Sequence, residues 1–278
     1  MPILSKNEAV TYLGLDPKVF ENYFKHAEEF PCLERVGKER FKFDQETLRA
    51  WKEDCAWRTC ELDFEDYKLC FDFLLAMHFR GYVASDWGTG RSREFGQKLT
   101  NWMKGQLAEI AVKKFLYREF GVTVELDFGI REKIVPQDII GVRENRVLRD
   151  PKVKVAIKSS KPKSCFLVLG GSEIDIPDRK SDIYIFCRPE IADDHILGPM
   201  RNVVIQMVQN QPHYDLYKDK IPNFENIACE IAGFCQPDEL EKVTSIPGQE
   251  FENGYRYVKA TGKLHRSRSE WEDLARRL

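Results

Sequence analysis

Three positions on two short apolar segments could build a site for magnesium-dependent phosphate chemistry. Residues 153–158 alternate apolar and polar side chains, the period of a half-buried strand, so positions 156 and 158 share one face. Asp138 opens a second apolar run, 138–142, on the N-terminal side of this strand. A carboxylate can bind Mg²⁺, and the ammonium group of Lys158 can orient water beside it. A carboxylate at position 156 would point the same way as Lys158, but the chain has Ala156 there.

Asp138, position 156 and Lys158 resemble the PD-(D/E)XK nuclease motif, with Ala156 where the family has Asp or Glu. That family includes most type II restriction endonucleases. The resemblance implies that Asp138 bridges Mg²⁺ ions and that the carboxylate expected at 156 completes the ligand set. It also implies that Lys158 orients or helps to deprotonate the attacking water. An ordinary strand with exposed lysines is the alternative.

Glu109 is a further candidate metal ligand. The segment 98–120 has helical periodicity and ends at Gly121, and Glu109 falls on its apolar stripe. A carboxylate on an apolar stripe is costly unless it meets a cation or a metal. The helix resembles the one that precedes the catalytic sheet of the family, whose glutamate often faces the metals. A surface pair with Lys113, four residues on, is the alternative.

The missing acid at position 156 has two explanations. Ala156 could be an engineered substitution that inactivates the enzyme, which we favour here because the rest of the motif is intact. Alternatively the sequence is natural and Glu173, fifteen residues after Lys158, supplies the carboxylate. Some restriction enzymes of the family carry their second acid on a following helix at about that distance. On the motif alone, Ala156 offers no oxygen, so we expect weak metal binding and slow or absent cleavage.

The order of elements predicts an α+β or α/β fold, with a mixed sheet flanked by helices as in the nuclease family. A long helix precedes short strands rich in Val, Ile and Phe, and a helical turn from Ser172 leads to a final apolar strand. The strands are predicted at 122–128, 138–142, 153–158, 165–169 and 182–187. Residues 203–207 and 227–234 are expected to extend this sheet.

The sequence pattern of residues 4–53 predicts a helix, a turn, a second helix, a β-hairpin and a third helix. Ser5 caps the first helix and Gly14 ends it, Asp16-Pro17 starts the second, and Asp44 caps the third after a hairpin around Gly37. This segment resembles the winged helix-turn-helix of excisionase and MerR-like proteins, which implies that the second helix enters the DNA major groove. Protein binding is the alternative role. The implied DNA contacts are Lys18, Asn22, Lys25, His26, Arg35, Lys38 and Arg40.

The chain divides into a DNA-binding domain (1–60), a helical linker and loop (61–97) and a catalytic domain (98–278). The loop carries Arg91 and Arg93 among glycines and aromatic residues, which suggests a DNA-contacting arm or a plain linker. Residues 143–163 hold eight basic and two acidic side chains around the candidate site, and phosphate binding needs such clustering. Lys161 and Lys163 of this segment are further candidate DNA contacts.

Composition sets the remaining limits. The 278 residues carry a formal net charge of −2 and are 42% hydrophobic, which allows a substantial core and argues against non-specific coating of nucleic acid. Neither a membrane span nor a signal peptide is predicted, and the eight cysteines suit reduced core thiols. Within these limits, the resemblance to the nuclease family implies a cytoplasmic bacterial or archaeal type II restriction endonuclease that requires Mg²⁺ and cuts double-stranded DNA as a homodimer. A non-catalytic DNA-binding regulator and a repair nuclease are the alternatives.

Overall fold

The structure, a computed structural model, is a mixed α+β arrangement of several sheets and helices, as the order of elements predicts. It describes residues 2–15, 17, 20, 34–36, 40–80, 94–129, 137–162, 164–222, 224–247, 249–252 and 254–278. No helix in these ranges is both long enough and apolar enough to cross a lipid bilayer.

The helices and strands are numbered in chain order. The helices are α1 (Lys6–Leu13), α2 (Gln45–Trp57), α3 (Phe64–Phe79), α4 (Phe95–Phe120), α5 (Gly171–Asp175), α6 (Arg201–Val208), α7 (Tyr214–Tyr217) and α8 (Arg268–Arg277). The first strands are β1 (Ile3–Ser5), β2 (Glu34–Val36), β3 (Arg40–Asp44), β4 (Thr59–Leu62), β5 (Thr123–Leu126), β6 (Ile139–Glu144), β7 (Val147–Arg149) and β8 (Val155–Ser159). The later strands are β9 (Phe166–Gly170), β10 (Ile183–Pro189), β11 (Ile227–Cys235), β12 (Glu241–Val243), β13 (Ser245–Ile246), β14 (Gln249–Glu250) and β15 (Arg256–Ala260).

The central sheet has the order β4-β11-β10-β8 and carries the candidate site at its β8 edge. Strands β8 and β10 run parallel, with Ala156 opposite Tyr184, while β11 is antiparallel to both β10 and β4. Helix α4 packs on one face, where its buried Leu107, Ala111 and Phe115 join strand residues in the main core. A parallel β8–β10 pair requires a crossover, and α5 lies within it.

The meander β5-β6-β7 continues from α4 towards this edge. Gly121 ends α4 in the left-handed region, with φ of 67°, and turns the chain into β5. Strands β6 and β7 form a hairpin in the basic segment, and its turn places Asn145 and Arg146 at positive φ. The backbone N–H of Asp138 donates to Val155 O at 2.9 Å, so the start of β6 lies directly beside β8.

A second sheet, β12-β15-β9, covers the opposite face of the central sheet. Its Leu167 and Leu169 pack with Tyr184 and Phe186 of β10 in a separate apolar cluster. The side chains of β8 therefore divide between two cores. Val155 and Ile157 point to the α4 side, and Ala156 points to the β9 side.

The described part of the N-terminal module contains the predicted α1, hairpin strands and third helix. Ser5 and Glu8 form a capping box on α1, Gly14 closes that helix with φ of 65°, and Asp44 caps α2. Strands β1, β3 and β2 form one sheet over a small core that includes Val10, Phe43 and Leu48. Of the predicted second helix, only Pro17 and Phe20 are among the described residues, and both are helical.

Arg58, at the end of α2, connects this module to the central sheet. Its buried guanidinium donates to Ile231 O at 2.7 Å and to Asp54 Oδ2 at 2.7 Å. Glu230 lies 3.7 Å from the same guanidinium and also accepts two hydrogen bonds from Arg188. Burying these charges is tolerable because the cations share carboxylate partners.

The structure corrects three sequence predictions. Residues 203–207, predicted as a strand, lie in helix α6, because so short an apolar run cannot distinguish strand from helix by periodicity. The long helix begins at Phe95 rather than Lys98. Residues 59–62 form strand β4, which pairs with β11, so the predicted domain boundary at 60/61 falls inside a strand of the central sheet. The predicted linker helix, α3, buries Tyr67 and Leu74 in the main core.

Candidate active site

Glu109, Asp138 and Lys158 line one cavity of about 360 Å³. Glu109 reaches it from the middle of α4 and is only 7% exposed, although its neighbours on the helix are apolar. Gln106, one turn earlier, donates its Nε2 to Glu109 Oε1 at 2.8 Å. The sequence alternative, a surface pair between Glu109 and Lys113, does not account for this burial.

Asp138 is held at the junction of β6 and β8. Besides its backbone bond to Val155, its side-chain Oδ2 accepts a hydrogen bond from the backbone N–H of Ile157. The carboxylate therefore has a defined place beside the strand that carries Lys158. Such preorganisation is what a ligand or catalytic group requires.

Lys158 forms an ion pair with Glu173, and each side chain is about one-third exposed. Glu173 lies on the short helix α5, directly after β9. The backbone N–H of Gly170 donates to Glu173 Oε1 at 3.2 Å, which leaves Oε2 for Lys158. The residue that the sequence offers as a migrated acid thus stands next to the motif lysine.

Ala156 shares the strand face of Lys158 but lies deeper in the molecule. It is 4% exposed and packs in the apolar cluster of Leu167, Leu169 and Tyr184. A methyl group cannot bind a metal, so Ala156 is not itself a ligand, as its chemistry already indicated. A carboxylate added here would enter an apolar cluster, which costs free energy unless it finds a cation.

The buried charged groups of the cavity have pKa values that differ from their ordinary values. Burial, followed by the negative charges of Asp138 and Asp127, raises the pKa of Glu109 well above its ordinary value. Burial also raises the pKa of Asp138, against the opposing effects of Lys158 and the Ile157 N–H. Burial acts to lower the pKa of Lys158, but Glu173 and Asp138 outweigh it, so the net shift is upward and the ammonium form persists at neutral pH.

Asp127 and Gln106 are cavity residues that the sequence analysis missed. Asp127 follows β5, donates its backbone N–H to Asp138 O at 3.2 Å, and accepts from the Gly129 N–H at 3.0 Å. An acid directly after a strand that leads towards the motif is the signal that could have identified it. Gln106 carries no sequence signal beyond its position one turn before Glu109.

Apolar side chains line the same cavity. They are Phe73, Leu74 and Met77 from α3 and Trp102 from α4. Helix α4 therefore contributes both an acid, Glu109, and an aromatic ring, Trp102, while Asp138 and Lys158 come from the strand side.

Among the described residues, no three His, Cys, Asp or Glu side chains converge closely enough to form a ready-made metal cage. Comparison with known proteins identifies no relative. No family model, no curated protein and no solved structure matches the chain. The resemblance to PD-(D/E)XK nucleases remains a prediction that rests on the residues themselves.

Most of the predicted DNA contacts lie outside the described residues. Arg35 lies in β2 and Arg40 in β3, and only the backbone of these two residues is described. Lys161 is exposed in the turn after β8. Within the basic segment, Arg143 pairs with Glu125 and Arg149 with Glu144, which reduces its unbalanced charge. Outside the described residues lie Lys18, Asn22, Lys25, His26, Lys38, Arg91, Arg93 and Lys163.

Proposed function

We propose that this protein is a Mg²⁺-dependent endonuclease of the PD-(D/E)XK type that cleaves double-stranded DNA. One observation carries the proposal: Asp138, Glu109 and Lys158 line a single cavity, and Lys158 is paired with Glu173 at its edge. Carboxylates and a lysine beside parallel strands match the chemical requirements of phosphodiester hydrolysis, which needs an activated water and a neutralised leaving oxygen.

The acids of the cavity fit Mg²⁺ by their chemistry. Magnesium prefers oxygen ligands and binds through one or two carboxylates, with water and substrate phosphate completing its octahedron, so a full protein cage is unnecessary. The raised pKa values of Glu109 and Asp138 reflect buried acids whose repulsion a cation would relieve. We assign Asp138 and Glu173 as ligands and Glu109 as a further ligand or the anchor of a ligand water. When bound there, the ion supplies a lowered water pKa and charge neutralisation at the leaving oxygen.

Lys158 then acts as a cation rather than as a base. The pKa of its ammonium group is raised, so at neutral pH it holds its proton and can donate hydrogen bonds to the attacking water or to a phosphate oxygen. Glu173 orients the ammonium group through their ion pair. Glu109, with its raised pKa, can hold a proton at its carboxyl group until a cation displaces it.

The contact between Glu173 and Lys158 supports the natural alternative for Ala156 over the engineered one. In the natural alternative, the second acid of the motif comes from α5, and Ala156 fills an apolar cluster that a carboxylate would disturb. The engineered alternative makes the opposite prediction for the same two positions, so substitution distinguishes them.

The decisive experiment compares Glu173→Gln and Ala156→Glu with the wild-type chain, using supercoiled and linear duplex DNA of varied sequence and modification in Mg²⁺. We expect wild-type cleavage that Glu173→Gln reduces by about 10²-fold or more, the usual loss when a charge-stabilising group is removed. Glu125→Gln is the matched control, because Glu125 pairs with Arg143 on β6.

The engineered alternative predicts that the chain with Ala156 is inert and that Ala156→Glu gains activity. An inert protein in all forms would instead favour the second candidate function, a non-catalytic DNA-binding regulator, which the alanine at position 156 supports. Metal-dependent protection from thermal unfolding separates these cases further, since a regulator has no need of Mg²⁺.

We further propose a division of labour between two parts of the chain. The N-terminal module, with α1, the β2–β3 hairpin and α2 in the order of a winged helix, would read DNA, and the central sheet would hold the chemistry. Cutting both strands of a palindromic site calls for two active sites related by the DNA dyad, so we expect a two-fold homodimer on DNA. Light scattering should find two chains per duplex, and a single chain would contradict the dimer.

A further inference from the structure

We propose that the cavity beside the carboxylates binds one unpaired nucleobase of the substrate strand. This inference rests on the proposed nuclease function and specifies its substrate: a nucleotide that is flipped out of the duplex or already unpaired near the scissile phosphate. Two features of the cavity carry it: aromatic and aliphatic side chains that line it together with the acids, and a lining amide whose oxygen has no hydrogen-bond partner among the described residues.

The aromatic side chains of the cavity lining are placed where a base could stack. Trp102 lies on α4 seven residues before Glu109, and Phe73 and Met77 come from the neighbouring α3. The Phe73 ring makes an edge-to-face contact with Phe128, with centroids 5.3 Å apart and an interplanar angle of 79°. Aromatic rings in the cavity lining suit the π-face of any base, whereas phosphate and Mg²⁺ make no use of them.

The acceptor is Gln106 Oε1. This oxygen is buried and has no hydrogen-bond partner among the described residues, while the Nε2 of the same amide donates to Glu109. An ionised Glu109 can only accept hydrogen bonds, so in that state Nε2 faces Glu109 and the oxygen is the free end. Buried polar atoms are nearly always satisfied. Gln106 lines the cavity, so a turn of its side chain would bring this oxygen to the cavity, where every nucleobase offers an N–H.

The volume and shape of the cavity also suit a single nucleobase. At about 360 Å³ the cavity lies at the lower end of the range for small-molecule pockets, which is sufficient for one base but too small for a base pair with its backbone. A base stacked in a duplex cannot enter a concave pocket, so it must leave the stack or lack a partner. The nearby acids would then hold a metal ion that contacts the phosphate next to the bound base.

Binding can be measured apart from cleavage. We would use fluorescence anisotropy in Ca²⁺ with three end-labelled DNAs: a fully paired duplex, the same duplex with a one-nucleotide bulge, and the single strand, all confirmed intact on gels. Trp102→Leu keeps apolar volume but cannot stack, Trp102→Phe restores an aromatic face, and Tyr117→Ala is the control. Tyr117 lies on the same helix and is 65% exposed.

We expect the wild type to bind the bulged duplex or the single strand more tightly than the paired duplex. Trp102→Leu should weaken that binding by about tenfold, as loss of one stacking partner does, with recovery in Trp102→Phe and no change in Tyr117→Ala. Equal binding of all three DNAs by the wild type, or an equal loss on all three in Trp102→Leu, would overturn the proposal.

A second measurement needs no variant and covers the case in which Trp102→Leu fails to fold. 2-Aminopurine is placed at each position of the paired duplex and of the bulge, and its fluorescence is followed as protein is added. A change at a paired position identifies a base flipped from the duplex, and a change confined to the bulge identifies a base that was already unpaired. No change at any position refutes the inference, and leaves the cleavage test of Glu173→Gln unaffected.

Discussion

Replacing Glu109 with Gln should stabilise the protein at neutral pH, although the residue is buried. Burial and the charges of Asp138 and Asp127 raise the pKa of Glu109 above its unfolded value. A carboxyl group with a raised pKa binds its proton more tightly in the folded state, so its contribution to stability is complete below the unfolded pKa and is lost as pH rises through the folded pKa. The amide does not titrate, so it avoids this loss.

The magnitude follows from the same linkage. Each unit of upward shift in pKa costs about 1.4 kcal/mol of folding free energy at a pH above the shifted value. The Gln106 hydrogen bond survives the substitution, because the amide oxygen can still accept from Nε2. We expect Glu109→Gln to gain ~1–2 kcal/mol at pH 8, the usual return when a destabilising functional group is neutralised. For a chain of this size that is a rise in Tm of roughly 2–8 °C.

The assay is thermal and urea unfolding between pH 4 and pH 8, with and without Mg²⁺. Glu119→Gln is a matched control with the opposite sign on the same helix. Burial acts to raise the pKa of Glu119, but hydrogen bonds from Arg118 and Trp57 outweigh it and lower the pKa. Glu119→Gln should therefore destabilise the protein most at neutral pH. In the same assay, Mg²⁺ should stabilise the wild-type protein much more than it stabilises the Glu109→Gln variant.

The reasoning is refuted if Glu109→Gln destabilises the protein by the same amount at every pH from 4 to 8. That result would mean that the Glu109 carboxylate is satisfied in the fold and has no unmet need for a cation. A stabilising effect without any difference in the response to Mg²⁺ would retain the buried-acid argument and remove Glu109 from the metal site.

Three further predictions concern the lysine, a buried histidine and the wing. Lys158→Ala should lower Mg²⁺-dependent cleavage by about 10²-fold or more with little change in DNA affinity, and an equal loss of affinity would make it a binding residue instead. Burial lowers the pKa of His195 to about 4, so its stabilising contribution should disappear as pH falls from ~6.5 towards 4, by roughly 3 kcal/mol in all. Urea unfolding of His195→Gln should lack this dependence, and an unchanged pH profile would contradict it. Replacing Lys38 and Arg40 with Ala should weaken binding to all DNA sequences equally and flatten its salt dependence, whereas altered site preference would place them at base edges.

The sequence was sufficient for the elements whose signals are local. Capping residues and periodicity located α1, α2 and α4, alternation located β8, and short runs rich in Val, Ile and Phe located β5, β6 and β10, because the residues along one segment report its own secondary structure. Glu109 could be singled out for the same reason, since a lone acid on an apolar stripe is visible on a helical projection. Local signals failed at 203–207, where four apolar residues around Gln206 suit either a strand or a helix.

Only the tertiary structure decided which groups meet. Strand β4 exists because β11, more than 160 residues away, supplies its hydrogen-bond partners, and no local pattern could indicate that. The sequence names both Ala156 and Glu173 as positions for the second acid and prefers the first. The fold places Ala156 in an apolar cluster. It also brings α5 close to β8, so that Glu173 forms an ion pair with Lys158. Spacing along a chain determines which face a side chain takes, but distance between segments depends on how strands and helices pack.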